Sequence, residues 1–450
     1  MFGHKWTLGL SLSLLLASPL SARSQQAGPA GEAAEGQQAP EGDRDSQSTR
    51  QLLDRIDALE QRLAEIEQAR QAEELENLRR AAATEAASAP DQPEELGEKT
   101  YITASRSLQM LNPEISVSGD FLAQLVIDED AEAFYAGADD RSGLPFRALD
   151  MHIQSSLDPF SFTKIAIGFC PDGVSLEEVY MTWTGVVPDS RLSVGYFRQQ
   201  FGVVNRWHEH DLDQTQYPLV IHELLGEGGL TQAGVALDWN MPPLWAHANE
   251  LTVQVTNGSN DHLFAGEHYS VPTGLLHLKS YWDLNEDTYL ELGLSGMFGT
   301  NNARGRPSQV TDDLLLDEDW RTTWLAGADL TLHWQPLQQA RYRSLTWRSE
   351  GIWARREDPD ATVSGWGLYS YLQYQVDASW FIGARGDLVD PLWSDDRTLW
   401  QAVAYATFWQ SEFVYLRLEA SHGEPGPAGH DTRVVLQINW AAGPHKHEKY

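Results

Sequence analysis

The sequence predicts an all-β, membrane-spanning antiparallel barrel of about sixteen strands, preceded by a short α-helical coiled coil. Three observations predict it. From Glu114 onward apolar and polar residues alternate with a period of two, every second connection between alternating segments is short, and tryptophans gather near those short connections. A helical membrane protein is excluded, because past the N-terminus no uninterrupted apolar run approaches the ~20 residues of a spanning helix.

Residues 1–24 read as a secretory signal. His4 and Lys5 precede an apolar stretch from Trp6 to Leu16, followed by small residues and a plausible cut after Ala22 or Ser24. Residues 25–50, rich in Gln, Ala, Gly and Glu, read as a disordered lead-in. Over 51–80, Leu52, Ile56, Leu59, Leu63 and Ile66 fall at alternating spacings of four and three. With Ile56 and Leu63 at a, Arg55 and Arg62 occupy g while Glu60 and Glu67 occupy e, so a parallel neighbour is matched in charge as well as in apolar pattern. An isolated amphipathic helix is the other reading of this segment. Residues 81–113, with three consecutive alanines, Pro90 and Pro93, form a linker.

The barrel is expected over 114–440, with a tail over 441–450 that carries His445 and His447. In Arg433–Trp440, Val434, Leu436, Ile438 and Trp440 share one face and Arg433, Gln437 and Asn439 the other. Tyr415–Ser421 and Tyr289–Gly296 repeat the pattern. Alternation alone fits a soluble sandwich equally well. The connections decide. Segments start near Glu114, Phe146, Phe162, Leu176, Arg191, Leu230, Glu250, Gly274, Thr288, Trp320, Tyr342, Val363, Ser379, Thr398, Glu412 and Thr432. Short connections such as Asp158-Pro159, Val187-Pro-Asp189 and Asn285-Glu-Asp287 alternate with mostly long, acidic ones over 127–145, 201–229, 259–273, 300–319, 389–397 and 423–431. That parity belongs to outer-membrane barrels, with short periplasmic turns and long external loops. Trp183, Trp239, Trp282, Trp334, Trp380, Trp409 and Trp440 lie near the short turns, where an interfacial girdle belongs.

Composition narrows the function. The chain's 65 acidic and 32 basic residues give a net charge of −33, which argues against nucleic acid as a partner. One cysteine, Cys170, excludes a disulfide scaffold and cysteine-based metal clusters. No Gly-x-Ser-x-Gly, P-loop or dinucleotide glycine fingerprint is present, so no enzyme is expected.

Leu192-Ser-Val-Gly-Tyr-Phe-Arg-Gln-Gln-Phe-Gly202 and the preceding Leu176-Glu-Glu-Val-Tyr-Met181 are where the chain resembles bacterial outer-membrane porins. The likeness is to the phosphate-selective-type group and to trimeric porins with periplasmic coiled coils, and in layout it covers roughly residues 50–440. It implies a water-filled channel in the Gram-negative outer membrane, a homotrimer embedded in lipid, passive diffusion of small hydrophilic solutes or ions, and a third external loop that folds inward to narrow the pore. The chain departs from that group at Gln200, where proline is common, and in having only Lys164 and Lys279 as barrel lysines, so phosphate selectivity is not implied.

On that likeness the third long loop supplies the constriction candidates Arg206, His208, Glu209, His210, Asp211, Asp213, His222, Glu223 and Glu227. Polar-face Arg147, Arg191, Arg348, Arg385, Arg417 and Arg433 are expected to line the wall opposite. Merely solvated loop charges and wall arginines paired to neighbouring acids are the other reading. His208, His210 and His222 offer nitrogen ligands for a divalent metal, weighed against simply solvated histidines; no resident cofactor is expected. Acidic external loops favour cations at the mouth, so a modest cation preference is expected. The alternative function is a metal-binding, structural or adhesive barrel without an open pore.

Overall fold

The computed structural model describes residues 113–128, 142–171, 173–226, 228–260, 262–264, 271–303, 316–392, 397–426 and 429–443. The expected signal peptide, lead-in and coiled coil lie outside these residues, with nearly all of the linker and most of the tail.

The described residues form sixteen strands in one closed sheet. The first six are β1 (Glu114–Val126), β2 (Phe146–Asp158), β3 (Ser161–Cys170), β4 (Gly173–Thr184), β5 (Ser190–Arg198) and β6 (Thr231–Met241). They are followed by β7 (Ala248–Thr256), β8 (Thr273–Asn285), β9 (Thr288–Ala303), β10 (Leu316–Trp334) and β11 (Ser344–Glu357). The sheet is completed by β12 (Thr362–Gln375), β13 (Trp380–Asp390), β14 (Leu399–Ser411), β15 (Val414–Gly426) and β16 (Gly429–Ala442). Each strand pairs antiparallel with its chain neighbours, and β1 closes on β16 with Asp120 opposite Asn439. Closure leaves no strand edge with unmet backbone groups, which a bilayer requires. At this seam Gly119 faces the Trp440 ring, and a Cβ there would come within 2.7 Å of it.

Which face is inside is the decisive fact. In β15, Arg417 and Glu419 are 3% and 5% exposed while Leu418 between them is 54% exposed. In β16, Arg433, Gln437 and Asn439 are buried and Ile438 is exposed. Val194, Val235, Val255, Leu276, Leu294, Leu372 and Ile382 carry the same exposed apolar face around the barrel. A soluble sandwich buries its apolar face, whereas a barrel whose solvent is lipid does the opposite. Trp239 and Trp380 are exposed and the other five girdle tryptophans half-buried, as an interfacial belt requires.

The short turns are built by side chains that accept their own backbone's hydrogen bonds. Asp158 Oδ1 accepts from Phe160 N at 2.8 Å, Asn285 Oδ1 from Asp287 N at 2.9 Å, and Asp377 Oδ1 from Ser379 N and Trp380 N at 2.8 and 2.9 Å. Asp189 takes the left-handed conformation in the β4–β5 turn (φ 58°), the one non-glycine to do so among the described residues. The longer β6–β7 turn folds back on β8, where Trp245 Nε1 donates to Ser280 Oγ at 2.9 Å.

At the opposite end the strands outrun the alternation signal. β10 begins at Leu316 and β16 at Gly429, so the long connection expected over 423–431 shrinks to residues 427–428. Ladder hydrogen bonds need no apolar side chains, and polar pairs such as His422–Thr432 and Gly423–Asp431 continue the sheet. The β3–β4 connection at this end is short as well, residues 171–172.

Candidate functional site

Between β5 and β6 the chain turns into the barrel rather than out of it. The local sequence explains why. Phe201, Val203, Val204, Trp207, Leu212, Tyr217, Leu219, Val220, Ile221, Leu224 and Leu225 are all buried, more apolar area than an external loop would leave in water. The wall opposite presents apolar residues at inner positions where strand alternation in this barrel predicts polar ones: Ile352 and Ala354 of β11, Tyr369 of β12 and Val389 of β13. Helix α1 (Leu219–Leu225) packs on these three strands. Pro218 precedes it, Gly226 ends it in a left-handed conformation (φ 98°), and Asp387 Oδ2 accepts from Leu219 N at 3.4 Å.

The neck of the loop is tied by Asn205. Its Nδ2 donates to the carbonyls of Gln199 and Leu230 at 2.8 and 3.1 Å, and its Oδ1 accepts from Leu230 N at 2.7 Å. Gly202, at φ 60°, turns the chain inward. A side chain there would collide with the Glu350 carboxylate.

Four of the six expected wall arginines hold this loop. Arg147 pairs with Asp120, reaches Glu209 at 3.6 Å and donates to the Thr215 carbonyl. Arg417 Nη2 donates to the Leu212 carbonyl at 2.7 Å, and Arg385 Nη1 to the Gln216 carbonyl at 2.8 Å. Arg348 lies 4.6 Å from the Trp207 ring centroid and donates to Tyr371 Oη at 2.6 Å. Arg433 pairs with Asp431, and Arg191, half-exposed near the short turns, pairs with Glu250 at 3.7 Å. The loop's polar residues are fastened likewise. Asp213 accepts from Tyr371 Oη at 2.7 Å, Gln214 donates to Tyr405 Oη at 3.0 Å, and Thr215 bonds to Glu419 through both its backbone and its hydroxyl. Arg206 Nη1 donates to the Arg198 carbonyl at 2.7 Å. Glu227 lies outside the described residues.

The histidines fall in two places. His222 and Glu223 sit on α1, with His222 Nδ1 3.6 Å from the Glu223 carboxylate, on the side of β11–β13. His208 and His210 lie against β2 and β4, with rings stacked at 5.7 Å. Beside His208 and His210 stands a further imidazole, His152 of β2, edge-on to both rings at 5.2 and 5.3 Å. His208 Nδ1 is 2.6 Å from Glu177 and its Nε2 3.1 Å from Glu178. His210 Nδ1 is 3.0 Å from Asp150 and its Nε2 3.6 Å from Asp211. Among the described residues no group of three or more His, Cys, Asp or Glu side chains is disposed to hold a metal ion. The ring nitrogens of His208 and His210 face carboxylates, with His208 Nε2 hydrogen-bonded to Glu178 at 3.1 Å. Burial disfavours charge on His208, but its two glutamates outweigh that and raise it. For His210, burial is outweighed by Asp211 and Asp150, which bring it up to about 9. Buried His262, from the β7–β8 connection, is pushed down to about 4 and meets the Glu223 carbonyl through Nε2 at 2.7 Å.

Glu177 and Glu178 are consecutive, yet both reach His208. A β-bulge does this: Ala166 pairs with Glu178 and Ile167 with Leu176, so Glu177 is an extra residue in β4. Strict alternation would have sent one of the two glutamates to lipid.

No family model matches the chain. Over 272 residues it is 26% identical to an uncharacterized protein of Aquifex aeolicus, covering 56% of this chain and 55% of the relative, so the match spans about half of each. Solved structures of similar outline include a loop-deleted OmpT, an outer membrane protein of Vibrio cholerae (TM-score 0.48, 7% identity, covering 74% of this chain and 100% of that one). Others are the outer membrane channel DcaP of Acinetobacter baumannii (0.48, 12%, 74% and 97%) and OprB of Pseudomonas putida (0.49, 12%, 74% and 94%). At such values the likeness is one of outline only.

Proposed function

We propose that this barrel is an outer-membrane channel of the porin kind, through which small hydrophilic solutes or ions diffuse passively. One observation carries the reading: a charged, buried inner face and an apolar, exposed outer face in a closed barrel. The inward loop 199–230 is then the narrowest level of the path, and the charges fixed on it set selectivity. Arg147, Arg385 and Arg417 are engaged by loop carbonyls and by acids or amides, so they offer less to a passing anion than bare lumen arginines would. With acidic external loops, this favours a modest preference for cations. The assembly we propose is a homotrimer in which residues 51–80 form a parallel periplasmic coiled coil. Porin-like strand parity and the heptad charges support it.

Planar-bilayer conductance of the full chain tests the channel. Reproducible steps with a cation-side reversal potential in a salt gradient are expected, and Glu209→Gln with Asp211→Asn and Asp213→Asn moves that potential toward anions. A pore that already prefers chloride in its unmodified form contradicts the preference. A second reading, a structural barrel filled by its own loop, is favoured by the near-complete burial of residues 201–225. It requires a folded, electrically silent protein.

A further inference from the structure

The loop is attached to the barrel in two unlike ways. Its second half, α1, is packed by apolar contact against β11–β13. Its first half, over 207–216, is held by polar groups. On β12–β15 those groups are arginines, carboxylates, tyrosines and amides. On β2 and β4 they are Arg147, which donates to the Thr215 carbonyl, and the carboxylates Asp150, Glu177 and Glu178, which face the loop's own imidazoles His208 and His210. We propose that His208 and His210 form a proton-operated latch that fastens the first half of the loop to the wall and, on losing its protons, lets that half swing and widens the path. This rests on the channel reading above.

The geometry requires the protons. A carboxylate oxygen only accepts hydrogen bonds, and both nitrogens of His208 face carboxylates, at 2.6 and 3.1 Å. Both contacts hold only if both nitrogens carry hydrogen. His210 repeats the arrangement with Asp150 and, at longer range, Asp211. Around His208 stand Glu177 and Glu178 of β4, Arg198 of β5 and His152 of β2, with Lys164 of β3 behind Glu178 at 3.4 Å. Around His210 stand Asp150 and His152 of β2, Glu177 of β4 and Asp211 of the same turn, while Tyr415 of β15 donates to its backbone carbonyl. Arg206 lies near Glu178, and Glu209 is taken by Arg147. Deprotonation leaves one nitrogen of each ring as a lone pair set against a carboxylate inside the barrel.

The sign follows. Both imidazoles are raised above their ordinary value, so the latch is complete below about pH 6.5 and is lost as pH rises through about 9 for His210.

The test is conductance of the full-length protein in planar bilayers at constant salt, from about pH 6 to about pH 10. A rise of about twofold or more is expected across that window. His208→Gln with His210→Gln should show the wide state already at the acid end, without a pH step. If that pair folds poorly, Glu177→Gln with Asp150→Asn keeps the imidazoles but weakens their hold on the proton, and the step moves to lower pH. Thr215→Cys with Glu419→Cys, made in a Cys170→Ser background, pins the loop to β15: oxidised protein should lose the step and reduced protein regain it. A flat record in the unmodified protein, or a step untouched by oxidation, overturns the latch. Silence at every pH in every variant overturns the channel reading beneath it.

Discussion

Asn205 holds the neck of the loop with three hydrogen bonds and is fully buried, yet nothing in its neighbours along the chain marks it out. Truncation leaves the Gln199 and Leu230 groups buried without those partners, at a cost of about 1–3 kcal/mol. We expect Asn205→Ala to leave the barrel folded while the amides of the neck, Leu230 first, exchange faster with deuterium; unchanged protection there would show that the bonds do not hold the neck. The arginines teach a related lesson. Arg147, Arg348, Arg385 and Arg417 were legible as lumen-facing from alternation, but their partners, the Thr215, Gln216 and Leu212 carbonyls and the Trp207 ring, were not. A backbone carbonyl is available at every residue, so no sequence pattern distinguishes the one an arginine will find.

Helix α1 is the element that makes the loop an internal object. Seven residues are too few for stability from propensity alone, and its persistence depends on the apolar patch of β11–β13. Leu224 is fully buried there. Leu224→Ala should destabilise the loop's docking by about 2–5 kcal/mol, read as faster protease nicking within 199–230. Heat-modifiable migration on a gel should stay unchanged, because the barrel's ladder does not pass through the helix. Equal loss of both would mean that loop and barrel fold as one unit. The strands show the other side of element-scale reasoning. Their ends at the short turns follow the alternation to within a few residues, but their opposite ends do not, since pairing continues through Gly423–Asp431 and Gly426–Gly429 after the apolar face has stopped. The bulge at Glu177 is likewise invisible in β4 alone, being a mismatch in count between two strands.

At the scale of the whole molecule, the barrel supplies an apolar belt, and the loop supplies what occupies its interior. The segment over 51–80 supplies an expected association between copies. Deleting 51–80 should lower the assembly mass in detergent while leaving barrel migration intact; an unchanged mass would remove the coiled coil from the account of assembly.

By itself the sequence determined the count of about sixteen strands and the outward apolar face, and it singled out the long connection over 201–229. These are periodic or local properties, and a lipid environment ties each directly to residue type. It singled out His208 and His210 together with His222, which lies on the other half of the loop. Only the tertiary structure decided that His152, Asp150, Glu177 and Glu178 surround them, and that α1 faces an apolar patch of the lumen. Those contacts join strands far apart in the chain through a closed sheet and a bulge, and one extra residue in β4 is enough to turn a side chain from lipid to lumen.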